Sequence, residues 1–231
     1  MASQDRNAPA LRELYAQRFE PRAWQDSSDQ AFIGISLIER SIALCAPELV
    51  GDLLDVGCGQ QPYVSYFTRL TSKRACDFDD KRGTLDFTCP ADRIPLPDGS
   101  LDSILCTEVL EHVPDPLAVW REFARLLRPG GKVLLTTPMY WPGHEEPYDF
   151  HRYPEYGLRR LANESGFEVL KLIPRGGAWA VLGQVLQHVI PQYLPFRWQR
   201  SLLNRFFLKL DSWRASPRLT IGWTILAVKR P

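Results

Sequence analysis

The 231-residue sequence contains no run of about 18 uncharged apolar residues, so no helix is expected to span a bilayer. Its first residues, MASQDRNAPALRELY, lack the apolar core of a secretory leader. None of its five cysteines (45, 58, 76, 89 and 106) belongs to a C-x-x-C pair, and several sit in apolar, strand-like runs. Buried, reduced thiols in a cytoplasmic protein are therefore expected, without disulfides or zinc. No internal repeat or low-complexity tract is evident, and the length suits one α/β domain. Net charge is nearly absent as well, at +1, yet the two signs are segregated. Met1 to His151 carries 15 basic and 23 acidic residues, and Arg152 to Pro231 carries 13 and 4. Two readings stand: a basic C-terminal surface facing something anionic, or pairing of the two parts within the fold.

What is present is organised around Leu53 to Tyr63, LLDVGCGQQPY. Leu53 to Val56 reads as a buried strand that ends in the Asp55 carboxylate and a glycine turn. Gly57 and Gly59 permit positive φ and let a ligand approach the main chain without a Cβ in the way. Pro62 suits a first helical position, and Tyr63 to Leu70 reads as the helix that follows. Strand, glycine turn and helix make the nucleotide-cradling unit of doubly wound sheets. A dinucleotide site asks for G-x-G-x-x-G. Here Pro62 replaces the third glycine, and Asp55 would repel a pyrophosphate. Plain loop glycines are the bland alternative, and the neighbouring segments must decide.

D-V-G-C-G resembles the first motif of class I S-adenosylmethionine-dependent methyltransferases, and G-C-G-x-x-P-Y is similar to one subgroup of the type-11 methyltransferases. Three more segments in the same order extend the resemblance over roughly Leu53 to Gly166: ADRIPLPDGSLDSILCTEVLEHVPDP, then LRPGGK, then the loop from Pro138 to Tyr153. The resemblance implies a Rossmann-like, doubly wound, seven-stranded and mostly parallel α/β sheet. It also implies S-adenosylmethionine as cofactor, methyl transfer by direct displacement, and a last pair of antiparallel strands at the sheet edge. The chain then divides into N-terminal helices (1–50), a cofactor-binding core (51–174), a helical insertion (175–217), and a last strand with its tail (218–231). In the first part, Pro9 to Phe19 and Asp29 to Cys45 carry helical spacing, the second with Ser27 or Ser28 as its cap.

Cofactor contacts fall, by the same resemblance, on Asp55, Gly57, Cys58 and Gly59 at the turn. Asp77 accepts the ribose hydroxyls at the end of the second strand, with Asp79 as its rival and a solvated D-x-D-D turn as the plain alternative. Phe78 and Asp92 lie around the adenosine. Pro90 replaces the aspartate that many members place on the adenine amine, so Asp92 or backbone groups near Ala91 must serve. Thr107, after the fourth strand, meets the methionine part. Glu111 and His112 read as positioning residues that cap the helix starting near Asp115-Pro116.

Acceptor chemistry is expected in the loop after the fifth strand, where two histidines, three acids and several aromatics crowd together. One imidazole would remove a proton from an acceptor hydroxyl. His144 is the first candidate, then His151, then His112, with Asp149 orienting one of them; a self-bonded lid is the alternative. The spacing of His144 and His151 matches no standard zinc pattern, so no metal is expected. Within the insertion, Trp179, Leu182, Val185, Leu186, Val189 and Ile190 form one helical stripe. Leu202, Leu203, Phe206, Phe207, Leu210 and Trp213 form another, backed by five basic residues. Cap or core packing, peripheral contact with an anionic membrane, and a homodimer contact are its three readings. The expected acceptor is a small-molecule, glycan or lipid-linked hydroxyl. Nucleic acid is not the expected partner, because no N-P-P-Y-type base-flipping motif or RNA module is present. The rival function is a catalytically inactive methyltransferase-fold binding or scaffold protein.

Overall fold

The runs Leu53-Leu54, Ile104 to Cys106 and Val133 to Leu135 are apolar without alternation, the pattern of parallel strands covered on both faces. In the computed structural model, which describes residues 10, 13, 14, 26–80, 83–189, 196–214 and 219–231, each run lies in a strand. The elements are α1 (Phe32–Cys45), β1 (Gly51–Val56), β2 (Leu70–Asp77), β3 (Phe87–Thr88), β4 (Leu101–Thr107), α2 (Pro116–Leu126) and β5 (Leu127–Pro138). There follow α3 (Glu155–Glu164), β6 (Phe167–Arg175), α4 (Ala178–Val189), α5 (Arg197–Arg214) and β7 (Gly222–Lys229).

The seven strands form one sheet in the order β3-β2-β1-β4-β5-β7-β6. Strands β1 to β5 pair in parallel, and Asp55 is in register with Ala75 of β2 and Leu105 of β4. Strand β7 runs the other way: Lys229 at its end reaches the carbonyl of Leu127 at the start of β5. Arg230 likewise donates its N–H to Gly166 O, just before β6. The doubly wound sheet and its antiparallel last pair are therefore as expected. Chain order reverses about β1, so β2 and β4 flank it and a crevice opens past its carboxyl end.

The chain divides into two compact units. One comprises 45–138, 142–172 and 224–231. Its core includes Leu53, Leu54, Leu105 and Leu134 of the sheet, and on α2 the buried Trp120 meets Phe167 edge-on at 5.2 Å between ring centres. Asp115 caps α2 by accepting the N–H groups of Leu117 and Ala118, so Glu111 and His112 are not its caps. A local carboxylate one residue before Pro116 suits that task better than side chains three or four residues away. From α2, Arg125 binds Glu122, Asp98 and the carbonyls of Ile94 and Leu96, which pins the loop before β4.

Two expectations fail in this unit. No α-helix follows the glycine turn; only a 3₁₀ turn, Val64–Tyr66, separates it from β2. The segment is short and rich in aromatic and β-branched residues, too little to nucleate a helix. The second concerns the strand that the sequence places over Lys73 to Phe78: β2 runs Leu70–Asp77.

The other unit comprises 1–44, 139–141 and 173–223. Asp29 rather than Ser27 or Ser28 takes an N–H in the turn leading into α1. Helices α4 and α5 pack so closely that a Cβ on Gly183 would lie 2.5 Å from Phe207. Asp211 of α5 is buried and accepts the N–H groups of Gly177, Trp179 and Ala180 at the start of α4. The helix expected over 9–19 lies almost wholly outside the described residues, as does Ile190.

Candidate functional site

The carboxyl ends of β1, β2 and β4 converge on the glycine turn. Gly57 and Cys58 both donate their N–H groups to Cys76 O, at 2.9 and 3.2 Å, which folds the turn over the end of β2. Gly57 has φ +63°, and a Cβ there would sit 2.1 Å from Val109 Cγ2. Glycine is required at this position by its neighbour as well as by its dihedral. Gly59 differs: its φ is +47°, yet a Cβ would meet nothing within 4 Å. Its open side is the space a ligand lying on the main chain would fill.

Asp55 stands behind this turn, 2 % exposed, and its Oδ1 is buried without a hydrogen-bond partner. Burial pushes its carboxyl up to about 7, against a pull from Lys73 and a further push from Asp77. A buried acceptor of this kind asks for a cationic or hydrogen-donating partner. Asp77, at the end of β2, accepts Gly59 N–H at 3.0 Å through Oδ2 and Phe78 N–H at 2.7 Å through Oδ1. Each oxygen retains a lone pair. Phe78 is largely exposed, a bare ring next to that carboxylate, and Asp92 is exposed on the pinned loop. Cys58 is buried, its thiol pushed up to about 12 by burial and then by Asp55 and Asp77; it is a neutral wall, not a nucleophile. Thr107 is half-buried at the end of β4, in register with Thr136 of β5.

A second cluster lies past the ends of β4 and β5. Glu111 is fully buried, and its main-chain oxygen accepts the N–H groups of Phe150 and His151. This ties the segment after β4 to the loop after β5. His112 and His144 meet edge-to-face at 4.7 Å. His112 Nδ1 lies 3.0 Å from Tyr148 O, and His144 Nδ1 lies 3.2 Å from Pro142 O. A carbonyl only accepts, so Nδ1 is the donor at His112; His144 Nδ1 also faces Arg152 Nη2 at 3.5 Å, which only donates, so its two contacts ask for opposite tautomers. His112 Nε2 is 3.8 Å from Glu111 Oε1 and 3.7 Å from Glu145 Oε2.

Asp149 accepts His144 N–H and grips Arg152 through both oxygens, at 2.5 and 2.8 Å, so its carboxyl is held far below the usual range. His151 is placed apart, with Nε2 3.4 Å from Pro114 O. Of the three candidate histidines, the structure joins His112 with His144 and leaves out His151. Glu111, His112 and His144 each offer a ligand atom within 4.8 Å of the others. The Arg152 guanidinium, 3.5 Å from His144 Nδ1, works against a dication there. Sequence reasoning missed Glu145 and Arg152; only the D-x-x-R spacing of Asp149 and Arg152 signalled their pairing.

Comparison with known proteins agrees with this architecture. Residues 54–135 match the type-11 family model described as a methyltransferase domain. A stretch of 39 residues is 62% identical to the ubiquinone biosynthesis O-methyltransferase of Xanthomonas oryzae pv. oryzae (strain PXO99A), covering 17% of this chain and 16% of that protein. The match thus spans about a sixth of that relative's length. Among solved structures, the [4+2]-cyclase SpnF superposes with TM-score 0.57 at 20% identity, over 96% of this chain and 92% of its own. A putative sarcosine dimethylglycine methyltransferase from Galdieria sulphuraria gives 0.51 at 20% identity, over 87% and 84%. Residues 54–135 thus resemble a type-11 methyltransferase domain, and the chain has the fold of the methyltransferase structures it superposes on.

Proposed function

We propose that the protein transfers a methyl group from S-adenosylmethionine by direct displacement to a hydroxyl of a small, glycan or lipid-linked acceptor. The observation that carries this reading is Asp55: a buried carboxylate oxygen without a partner, at the end of β1, behind a glycine turn whose Gly59 faces open space. The site fits the cofactor. Asp55 would hold its ammonium or sulfonium charge, and Gly57, Cys58 and Gly59 would receive it on the main chain. Asp77 would accept the ribose hydroxyls, Phe78 and Asp92 would flank the adenine, and Thr107 would meet the methionine part. When bound, the sulfonium supplies an already activated methyl group, so positioning of the acceptor provides much of the rate.

In this scheme His144 Nε2 takes the acceptor's proton, and Asp149, held by Arg152, keeps the His144 segment in place. His112 meets that imidazole edge-on, and the Glu111 main-chain oxygen holds the Phe150–His151 end of the loop. The O-methyltransferase named above supports an oxygen acceptor by analogy only. Titration calorimetry with S-adenosylmethionine, followed by label transfer from the cofactor to hydroxylated acceptors, tests the reading. Micromolar binding that is lost in Asp55→Ala, with transfer to a hydroxyl compound, is expected. Binding that survives in Asp55→Ala refutes the cofactor placement. Binding without transfer to any component of a cell extract favours the scaffold alternative.

A further inference from the structure

Helices α4 and α5 carry an apolar surface that the described residues of their unit leave exposed. On α5, Trp198, Leu202, Phe206 and Trp213 are 61, 60, 59 and 76 % exposed. At 100° per residue they fall within one quarter of the helix circumference. The opposite side, Asn204, Phe207 and Asp211, is buried. On α4, Leu182, Val185 and Val189 project outward in the same manner, while Ala180, Gly183, Gln184 and Gln187 are buried. Of the expected stripes, Trp179, Leu182, Val185 and Val189 on α4 and Leu202, Phe206 and Trp213 on α5 are exposed; Phe207 is turned inward, Trp198 joins the outer face, and Ile190 lies outside the described residues. Surfaces of this size and kind mark a contact.

Charge identifies what is contacted. Between Ala178 and Arg214 the sequence has five basic residues and one acid. The acid is Asp211, which is buried. Lys209 lies between Trp198 and Leu202 around the α5 helix, Arg205 borders the same sector, and both are exposed. Exposed apolar side chains interleaved with cations, with no exposed acid on either helix and with exposed Asp26 paired to Arg197 at the start of α5, complement a surface that is apolar inside and anionic at its boundary. A protein partner of ordinary composition would leave those cations facing apolar or mixed groups. Tryptophan, with an apolar ring and one N–H donor, settles at the level of lipid headgroups. No described helix is long and apolar enough to cross a membrane, so the contact is a resting one, along the surface.

We propose that the α4–α5 pair docks on an anionic phospholipid surface, with Trp198, Leu202, Phe206 and Trp213 entering the headgroup layer and Arg205 and Lys209 meeting lipid phosphates. The proposal is independent of the acceptor and of the catalytic reading.

Co-sedimentation of the full chain with phosphatidylglycerol–phosphatidylcholine vesicles, and with phosphatidylcholine vesicles alone, tests it. Each basic residue near such a surface contributes on the order of 1 kcal/mol, so binding to the anionic vesicles should be at least about tenfold tighter. It should also weaken as salt is raised. Arg205→Glu with Lys209→Glu should remove the anionic preference, and Trp198→Ser with Phe206→Ser should reduce binding to both vesicles. Leu182→Ser with Val189→Ser on α4 provides a second apolar test should the α5 variants lose their helical circular dichroism. Binding unchanged in these variants, equal binding to both vesicles, or no binding overturns the proposal. So does a concentration-dependent dimer that the same variants abolish, since the face would then belong to a second copy of the chain.

Discussion

Asp55 should make cofactor affinity depend on pH. Its carboxyl lies at about 7 rather than the ordinary 3.8 because burial disfavours the charged form. Only the ionised form attracts the ammonium and sulfonium of S-adenosylmethionine. At pH 5.5 about 3% of Asp55 is ionised and at pH 7 about half, a ratio of roughly 16, or about 1.6 kcal/mol. The ligand's amino group, with an ordinary value near 7.7 to 8.0, stays charged over that window and does not offset the trend. Kd should therefore fall about 15-fold from pH 5.5 to 7.

Titration calorimetry in two buffers of different ionisation enthalpy should also register about half a proton released per site at pH 7. In Asp55→Asn both the slope and the proton release should vanish. The apo fold should respond in the opposite sense. Between pH 4 and 7 the folded chain binds more protons at Asp55 than the unfolded chain, so stability declines as pH rises, by at most about 4 kcal/mol. Saturating cofactor should restore much of that loss. A pH-independent Kd in the wild type, or a slope retained in Asp55→Asn, would refute the reasoning.

Further outcomes follow from the geometry. Gly59→Ala should lower the unfolding free energy read from urea titration by only about 1 kcal/mol of strain while weakening cofactor binding at least about tenfold. Gly57→Ala should instead unfold at distinctly lower urea, and Val109→Ala should recover part of that loss by removing the 2.1 Å conflict. Trp120→Ala, on the buried face of α2, should cost about 3 to 5 kcal/mol in the same assay. His144→Gln should lower kcat by about 10² to 10⁴ with cofactor Kd unchanged. His151→Gln should stay within a few-fold of wild type, and dialysis against a chelator should leave turnover intact. Activity lost to the chelator and restored by one divalent ion would reassign Glu111, His112 and His144 to a metal.

Much of this was legible before any coordinates. Apolar runs without alternation located β1, β4 and β5, and the LRPGGK segment marked where α2 gives way to β5. The glycine turn and its flanking acid pointed to the candidate site at the carboxyl end of β1, though Val109 as the reason for Gly57 was hidden 52 residues downstream. What failed was local: Pro62 encouraged a helix where aromatic and β-branched residues allow only one turn. What was illegible was the meeting of His112 and His144, 32 residues apart. It follows from β4 and β5 being sheet neighbours, with Thr107 beside Thr136, so that the segments leaving both strands emerge together. Single-sequence periodicity carries no term for that adjacency, whereas the D-x-x-R spacing of Asp149 and Arg152 did carry one for their pairing.

The clasp of Asp211 on the first turn of α4 has a consequence for anyone who would trim the chain. One carboxylate from the second helix terminates three main-chain donors of the first, so neither helix is a detachable ornament. Excising α5 alone would strip α4 of its lid and uncover amide groups that water reaches poorly, whereas Asp211→Asn, which keeps the shape but drops the charge, should loosen the hairpin while leaving it in place. A truncation that is to keep the fold must retain both helices or remove both.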